Sequence, residues 1–257
     1  MSLPPLTLNA WLRYDVVRRL VPSEVRTVLE IGCGQGAVAA RLASTYDYLG
    51  AEPDDTSFAV AQRRLAALGR GEVRHGLSED VVEPGRTFDL VCAFEVIEHL
   101  LDDEGALRQW VQRVRPGGWL LLSTPSSPER YGPIDEVAGH YRRYEFEGMS
   151  GLLDKVGLTD VRVVGYGAGL GYALEYGRNV VGRRRLKART CRTQPIAPTA
   201  TDPGSMALAT GGSGRLLQPP DGLGPLTQAV TAPFRVLQRR YPRSGPGMLA
   251  MGRRPLS

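Results

Sequence analysis

Val28-Leu29-Glu30-Ile31-Gly32-Cys33-Gly34-Gln35-Gly36 is the most informative stretch of the chain. A short β-branched run over residues 27–31 predicts a strand, and it ends in three glycines spaced two apart. Small residues are needed at such a strand-to-helix turn, because the backbone bends tightly and lets a ligand approach to contact distance. The alanine-rich stretch 36–44 then predicts a helix, and 46–52 predicts a second strand ending in Tyr48-Leu49-Gly50-Ala51-Glu52-Pro53-Asp54. Glu52 stands 20 residues after Gly32. A carboxylate at the end of that strand can accept hydrogen bonds from both hydroxyls of an adenosine ribose. Strand, glycine turn, helix, strand and acid together predict an adenosine site.

The pattern continues outward in both directions. Residues 9–20 (NAWLRYDVVRRL) predict a helix capped by Asn9. Further helices are predicted over 57–68, 106–114 and 148–156, and further strands over 72–77, 88–94, 119–124 and 159–166. Pro116-Gly117-Gly118 is read as stopping the helix that precedes it. Apolar strands alternating with amphipathic helices imply an α/β protein whose mostly parallel sheet is covered on both faces. The 257 residues, 42% hydrophobic and 23% charged, have the composition of a globular protein. No run of about 18 apolar residues occurs, and the first residues lack the basic start and apolar stretch of a secretion signal. A cytoplasmic location is therefore expected. Cys33, Cys92 and Cys191 are too few and scattered for a disulfide framework or a zinc site.

After Tyr166 the pattern breaks down. Twelve of the 31 residues from Pro195 to Pro225 are Gly or Pro, so no long regular element is expected there. A helix around Pro233 is predicted over 226–241, and 247–252 reads as a last strand returning beside the sixth. The main domain is accordingly 1–166 with 247–257, and 167–246 is a basic, Gly/Pro-rich insertion acting as a lid or substrate-binding cap. Residues 1–177 carry 18 Lys+Arg against 25 Asp+Glu, whereas 178–257 carry 14 against two. Seven basic residues and no acid lie within 177–192. Such a segment suits an anionic small-molecule acceptor, a peripheral membrane contact or a merely solubilising face. Nucleic acid is the weakest partner, because no aromatics are interleaved with these arginines.

The segments VLEIGCGQG, YLGAEPD, FDLVCAFEVIEHL (88–100) and RPGGWLLLSTP (115–125) occur in this order. The set resembles the class I S-adenosylmethionine-dependent methyltransferases, over about residues 9–166 plus the last strand. The resemblance implies a Rossmann-like sheet of seven strands with the last one antiparallel, and S-adenosylmethionine as cofactor. By the same resemblance Glu30, Gly32 and Gly34 line the methionine part, Glu52 with Pro53 the ribose, Leu77 and Ser78 the adenine, and Phe94 lies under the methionine. The family's acid at the third motif is replaced here by Leu77. The chain also resembles the ubiquinone-biosynthesis O-methyltransferases, whose first-helix arginine implies that Arg13 contacts the methionine carboxylate.

Methyl transfer to oxygen needs an in-line approach and a base for the hydroxyl proton. His140, in Asp135-Glu136-Val137-Ala138-Gly139-His140, is the expected general base, with Asp135 or Glu136 orienting it. His75 is read as structural. Glu95, Glu98 and His99 form E-x-x-E-H, read as one helical turn presenting two carboxylates and an imidazole. That donor set suits Mg²⁺ or Mn²⁺. EVIEHL also resembles the metal-binding segment of small-RNA 2′-O-methyltransferases, with His140 as the further ligand and His99 near the reacting groups. The leading expectation is O-methylation of a polar small molecule, such as a sugar, nucleoside or specialised metabolite. Alternatives are metal-dependent 2′-O-methylation of a vicinal diol, a methyltransferase-fold protein that binds without transferring, and an NAD(P)-dependent oxidoreductase, disfavoured by G-x-G-x-G in place of G-x-G-x-x-G.

Overall fold

The structure, a computed structural model, describes residues 3–190 and 220–256. The Gly/Pro-rich stretch from 195 to 219 and Cys191 lie outside the described residues. A first helix, α1 (Leu8–Leu20), precedes β1 (Thr27–Ile31), α2 (Ala39–Ala43), β2 (Asp47–Glu52), α3 (Asp55–Leu68), β3 (Glu72–His75), α4 (Ser78–Val81) and β4 (Phe88–Phe94). A single 3₁₀ turn (Ile97–His99) leads to α5 (Asp103–Arg113), β5 (Val114–Pro125), α6 (Pro133–Ala138), α7 (Phe146–Lys155) and β6 (Thr159–Tyr166). Two long helices, α8 (Leu170–Thr190) and α9 (Gly224–Arg240), come before β7 (Gly247–Arg253).

The seven strands lie in the order β3-β2-β1-β4-β5-β7-β6. β7 runs antiparallel between β5 and β6, and the remaining pairs are parallel. Successive side chains of each strand point to opposite faces, which divides the core in two. Val28, Cys92, Leu121 and Leu249 pack with Leu12 and Val16 of α1. Leu29, Val91, Leu120 and Leu122 pack with Leu107, Trp110, Met149 and Leu153 on the other side. Both faces of β1 and β4 are thus covered, which is why their sequences are almost continuously apolar. The chain leaves β1 toward β2 on one side and returns to β4 on the other. Such a switch point opens a crevice at the strands' carboxyl ends.

The element boundaries differ from the sequence reading for local reasons. Thr7, not Asn9, caps α1, its Oγ1 accepting from the Ala10 amide at 3.1 Å. α5 starts at Asp103 because Asp102 Oδ1 accepts from the Gly105 amide at 2.9 Å. β5 runs from Val114, with a register shift against β4 between Phe88 and Leu90 that absorbs Pro116-Gly117-Gly118. β7 lies beside β6 as expected, and also pairs with β5.

The larger difference is α8, 21 residues of helix where no periodic pattern was legible. Two of its glycines are packing devices rather than breaks: a Cβ at Gly182 would lie 2.8 Å from the Ile134 amide nitrogen, and one at Gly171 2.9 Å from Pro246. α9 docks on α1 through Gln238, whose Nε2 donates to the Leu12 carbonyl at 3.0 Å while its Oε1 accepts from Gly167 at 3.1 Å. Among the described residues no helix is long and apolar enough to cross a membrane. Two glycines of α8 predict opposite responses to alanine. A Cβ at Gly177 would meet nothing within 4 Å, whereas one at Gly182 would abut backbone. Gly177→Ala is expected to stabilise by about 0.5–1 kcal/mol through helix propensity. Gly182→Ala is expected to destabilise by about 1–3 kcal/mol through overpacking, and urea melts of both variants check the signs.

Candidate active site

A cavity of about 1210 Å³ opens at the carboxyl ends of β1, β2 and β4, and is walled on its far side by α6 and α8. Arg13, Glu30, Gly32, Gly34, Glu52, Pro53, Leu77, Ser78 and Phe94 all reach it, so every expected cofactor residue faces one space. Gly32, Gly34 and Gly36 have φ of +68°, +55° and +75°, the left-handed region that glycine enters without strain. Their roles differ. A Cβ at Gly32 would press on Val96 at 2.8 Å and one at Gly36 on Ala61 at 2.9 Å, whereas at Gly34 it would meet nothing. Two of the glycines therefore serve packing, and Gly34 leaves backbone bare to the cavity.

Glu52 is 5% exposed. Its Oε2 accepts from the Gly34 amide at 2.7 Å and its Oε1 from the Asp54 amide at 3.0 Å. Burial raises its pKa, and these two amides pull it back. A carboxylate has about four lone-pair sites, so each oxygen keeps one for a hydroxyl. Glu30 lies beneath, accepting from the Tyr48 hydroxyl at 2.6 Å. Burial pushes Glu30 up to about 7, against the Tyr48 hydrogen bond and Arg13, with Glu52 adding to the rise.

At the end of β4 the helical turn expected for E-x-x-E-H is only a 3₁₀ turn over Ile97–His99, and Glu95 stays outside it. Glu95 takes a left-handed φ of +59°, a conformation that costs a non-glycine residue about 1–2 kcal/mol and collects at functional sites. This turns Glu95 away from Glu98 and His99. Its Oε1 accepts from Ser123 Oγ at 2.8 Å and Tyr166 Oη at 3.0 Å, and stands 3.3 Å from Arg13 Nη1. Burial opposes its charge, but Arg13, Ser123 and Tyr166 outweigh burial and hold it below the usual carboxylate range. Arg13 in turn lies over the Phe94 ring, 5.6 Å from its centroid.

Glu98 and His99 instead meet His140: ligand atoms of all three lie within 4.8 Å of one another. Glu98 Oε1 and His99 Nδ1 are buried with no hydrogen-bond partner, and an orphaned buried polar atom is costly unless something satisfies it. Burial, with Glu95 nearby, pushes Glu98 well above its ordinary value. Burial and the neighbouring His140 lower His99 to about 4, against the Gly139 backbone and Glu95. Glu95 lies outside this cluster, so the expected set of four reduces to three.

His140 Nδ1 stands 2.8 Å from Asp135 Oδ1. Asp135 is also gripped on both oxygens by Arg143, at 3.0 and 2.7 Å, and these partners hold it at about 2 against its burial. An ionised Asp135 makes Nδ1 the protonated ring nitrogen, leaving Nε2 free. Arg143 continues to Glu175 of α8 at 2.5 Å, and Glu175 is paired with Arg130. His75 lies apart, stacked on Phe58. Sequence reasoning missed Ser123, Tyr166 and Glu175, and marked Arg143 only as part of the dense polar run 135–144, with no partner assigned to it. Of the three missed, only Tyr166, a polar aromatic at the carboxyl end of a strand, carried a signal.

Known proteins share this geometry's framework. Residues 10–163 match the methyltransferase domain family. The chain belongs to the class I S-adenosylmethionine-dependent methyltransferases. A probable S-adenosylmethionine-dependent methyltransferase of Mycobacterium tuberculosis is 33% identical over 64% of this chain and 61% of its own length. The ubiquinone biosynthesis O-methyltransferase of Methylobacterium nodulans is 35% identical over 48% of this chain and 51% of its own. The matched stretches thus span about 61% and 51% of the length of these two curated relatives. The solved YcgJ protein of Bacillus subtilis has the same fold, with a TM-score of 0.58 at 12% identity, covering 95% of this chain and 99% of that one.

The residues of this methyltransferase fit S-adenosylmethionine: a bare backbone at Gly34, a buried carboxylate with lone pairs to spare at Glu52, and opposite charges at Arg13 and Glu30. Glu30 also yields a pH prediction. Its pKa is raised on folding, so its contribution is complete below about 4.5 and is lost as pH rises through about 7. In the cofactor-free protein, wild type should lose about 3 kcal/mol relative to Glu30→Gln between pH 4.5 and 8. Denaturant titrations at both pH values check this, and parallel curves would show Glu30 to be ordinary.

Proposed function

We propose that this methyltransferase acts on a hydroxyl of a polar small molecule, such as a sugar, nucleoside or specialised metabolite. The observation that carries the reading is the His140–Asp135 pair on the cavity wall, at 2.8 Å. Asp135, pinned by Arg143, holds the imidazole in one tautomer, and His140 Nε2 accepts the proton of the incoming hydroxyl. S-adenosylmethionine, when bound, supplies the methyl group from a sulfonium sulfur. Glu52 and Pro53 seat its ribose, Leu77 and Ser78 flank the adenine, and Glu30, Gly32, Gly34 and Phe94 border the methionine. Arg13, fixed by Glu95, meets the methionine carboxylate. The O-methyltransferase names among the relatives are consistent with this chemistry.

A second reading is favoured by the orphaned Glu98 Oε1 and His99 Nδ1. Glu98, His99 and His140 form a mixed oxygen and imidazole set suited to Mg²⁺ or Mn²⁺. An ion there would add Lewis acidity toward an acceptor hydroxyl, such as one of a vicinal diol. The two readings part over His99. If His140 is a base alone, His140→Ala lowers turnover by about 10²–10⁴-fold, with little change in cofactor affinity, and activity survives chelator. If the ion is used, His99→Ala and Glu98→Gln are as damaging as His140→Ala, and Mg²⁺ or Mn²⁺ restores chelated enzyme. Unchanged turnover in His140→Ala would retire both.

A further inference from the structure

α8 presents Leu174, Arg178, Val181 and Arg185 along one stripe, at i, i+4, i+7 and i+11, and all four line the cavity. The acids of that half are already engaged. Glu95 holds Arg13, Asp135 holds Arg143 and His140, and Glu175 holds Arg143 and Arg130. Among the described residues, Arg178 and Arg185 have no ion-pair partner. Arg178 Nε is buried and donates to nothing. Its charge also reaches the Tyr166 hydroxyl, opposing the upward shift that burial imposes on that phenol, and Tyr166 bonds Glu95 beside Phe94 at 3.0 Å. One cation thus stands near Tyr166 and Glu95, and a second stands two turns, about 10 Å, further along the helix on the same cavity-lining stripe. Arg178 is itself half-buried, and a guanidinium N–H held out of water with no acceptor is costly unless an anion meets it.

We infer that the acceptor carries an oxyanion, a carboxylate or a phosphate, which Arg178 binds and the second cation, Arg185, helps to attract. The apolar Leu174 and Val181, interleaved with the arginines, and Ile134 and Val137 of the adjoining α6 favour an acceptor with an apolar body between its hydroxyl and its anion. This rests on the O-methylation reading for the position of the hydroxyl, but not for the anion site itself.

The test titrates phenyl phosphate, benzoate and neutral benzyl alcohol into the full chain, with and without S-adenosylhomocysteine. At least one anion is expected to bind about tenfold or more tightly than benzyl alcohol. Preference for benzoate assigns a carboxylate, and preference for phenyl phosphate a phosphate. Arg178→Gln is expected to abolish the preference, Arg178→Lys to keep part of it, and Arg185→Gln to weaken it with a reduced association rate. Equal affinity for the three probes, binding of none, or an undiminished preference in Arg178→Gln would overturn the inference. An intact preference beside a fully active His140→Ala would overturn the O-methylation mechanism and leave the anion site standing.

Discussion

Glu52 ties the two turns that face the cofactor into one piece. Its carboxylate, at the end of β2, accepts the Gly34 amide from the turn after β1 and the Asp54 amide at the start of α3. Charge-assisted bonds of this kind are stronger than neutral ones, and burial keeps water from competing for them. The turn is held open, with Gly34 bare, while Gly32 and Gly36 are wedged against Val96 and Ala61. Everything further along the cavity is placed relative to this floor. Arg13 and Glu30 lie beside it, and β4 delivers Phe94 and Glu95 across from it.

The opposite wall is held in place by a buried network of charges. Arg143 joins Asp135 of α6 to Glu175 of α8, each of the three at most 6% exposed. Buried ion pairs contribute little net stability, but removing one partner is severe, so the network fixes geometry more than it adds free energy. It holds α6 against α8 and with them the imidazole of His140. Glu95 does the same on the floor, trading a left-handed backbone for a single carboxylate oxygen shared by Arg13, Ser123 and Tyr166. The fold is shared by enzymes of many substrates, so the acceptor must be argued from this wall and not from the sheet.

Legibility in the sequence followed the range of the interactions. The strands β1, β4 and β6, the glycine turn and Glu52 were readable because each is set by neighbours within a few residues: β-branched runs, φ-permissive glycines, an acid closing a strand. The same holds for α9 around Pro233. α8 was not readable, because Gly171, Gly177 and Gly182 look like breaks until Pro246 and the α6 backbone are seen against two of them. E-x-x-E-H was legible as a polar cluster but not as a geometry, since the left-handed Glu95 is imposed by partners 28 and 71 residues away. His140 with Asp135 was found because they are five residues apart. Arg143 with Glu175 was missed because 32 residues separate them.

The seat formed by Glu52 and the glycine turn is tested most directly by calorimetry of S-adenosylhomocysteine against wild type and Glu52→Gln. A carboxylate that grips both ribose hydroxyls predicts about a hundredfold loss of affinity in the variant, near 3 kcal/mol. Equal affinity in the two proteins would contradict it.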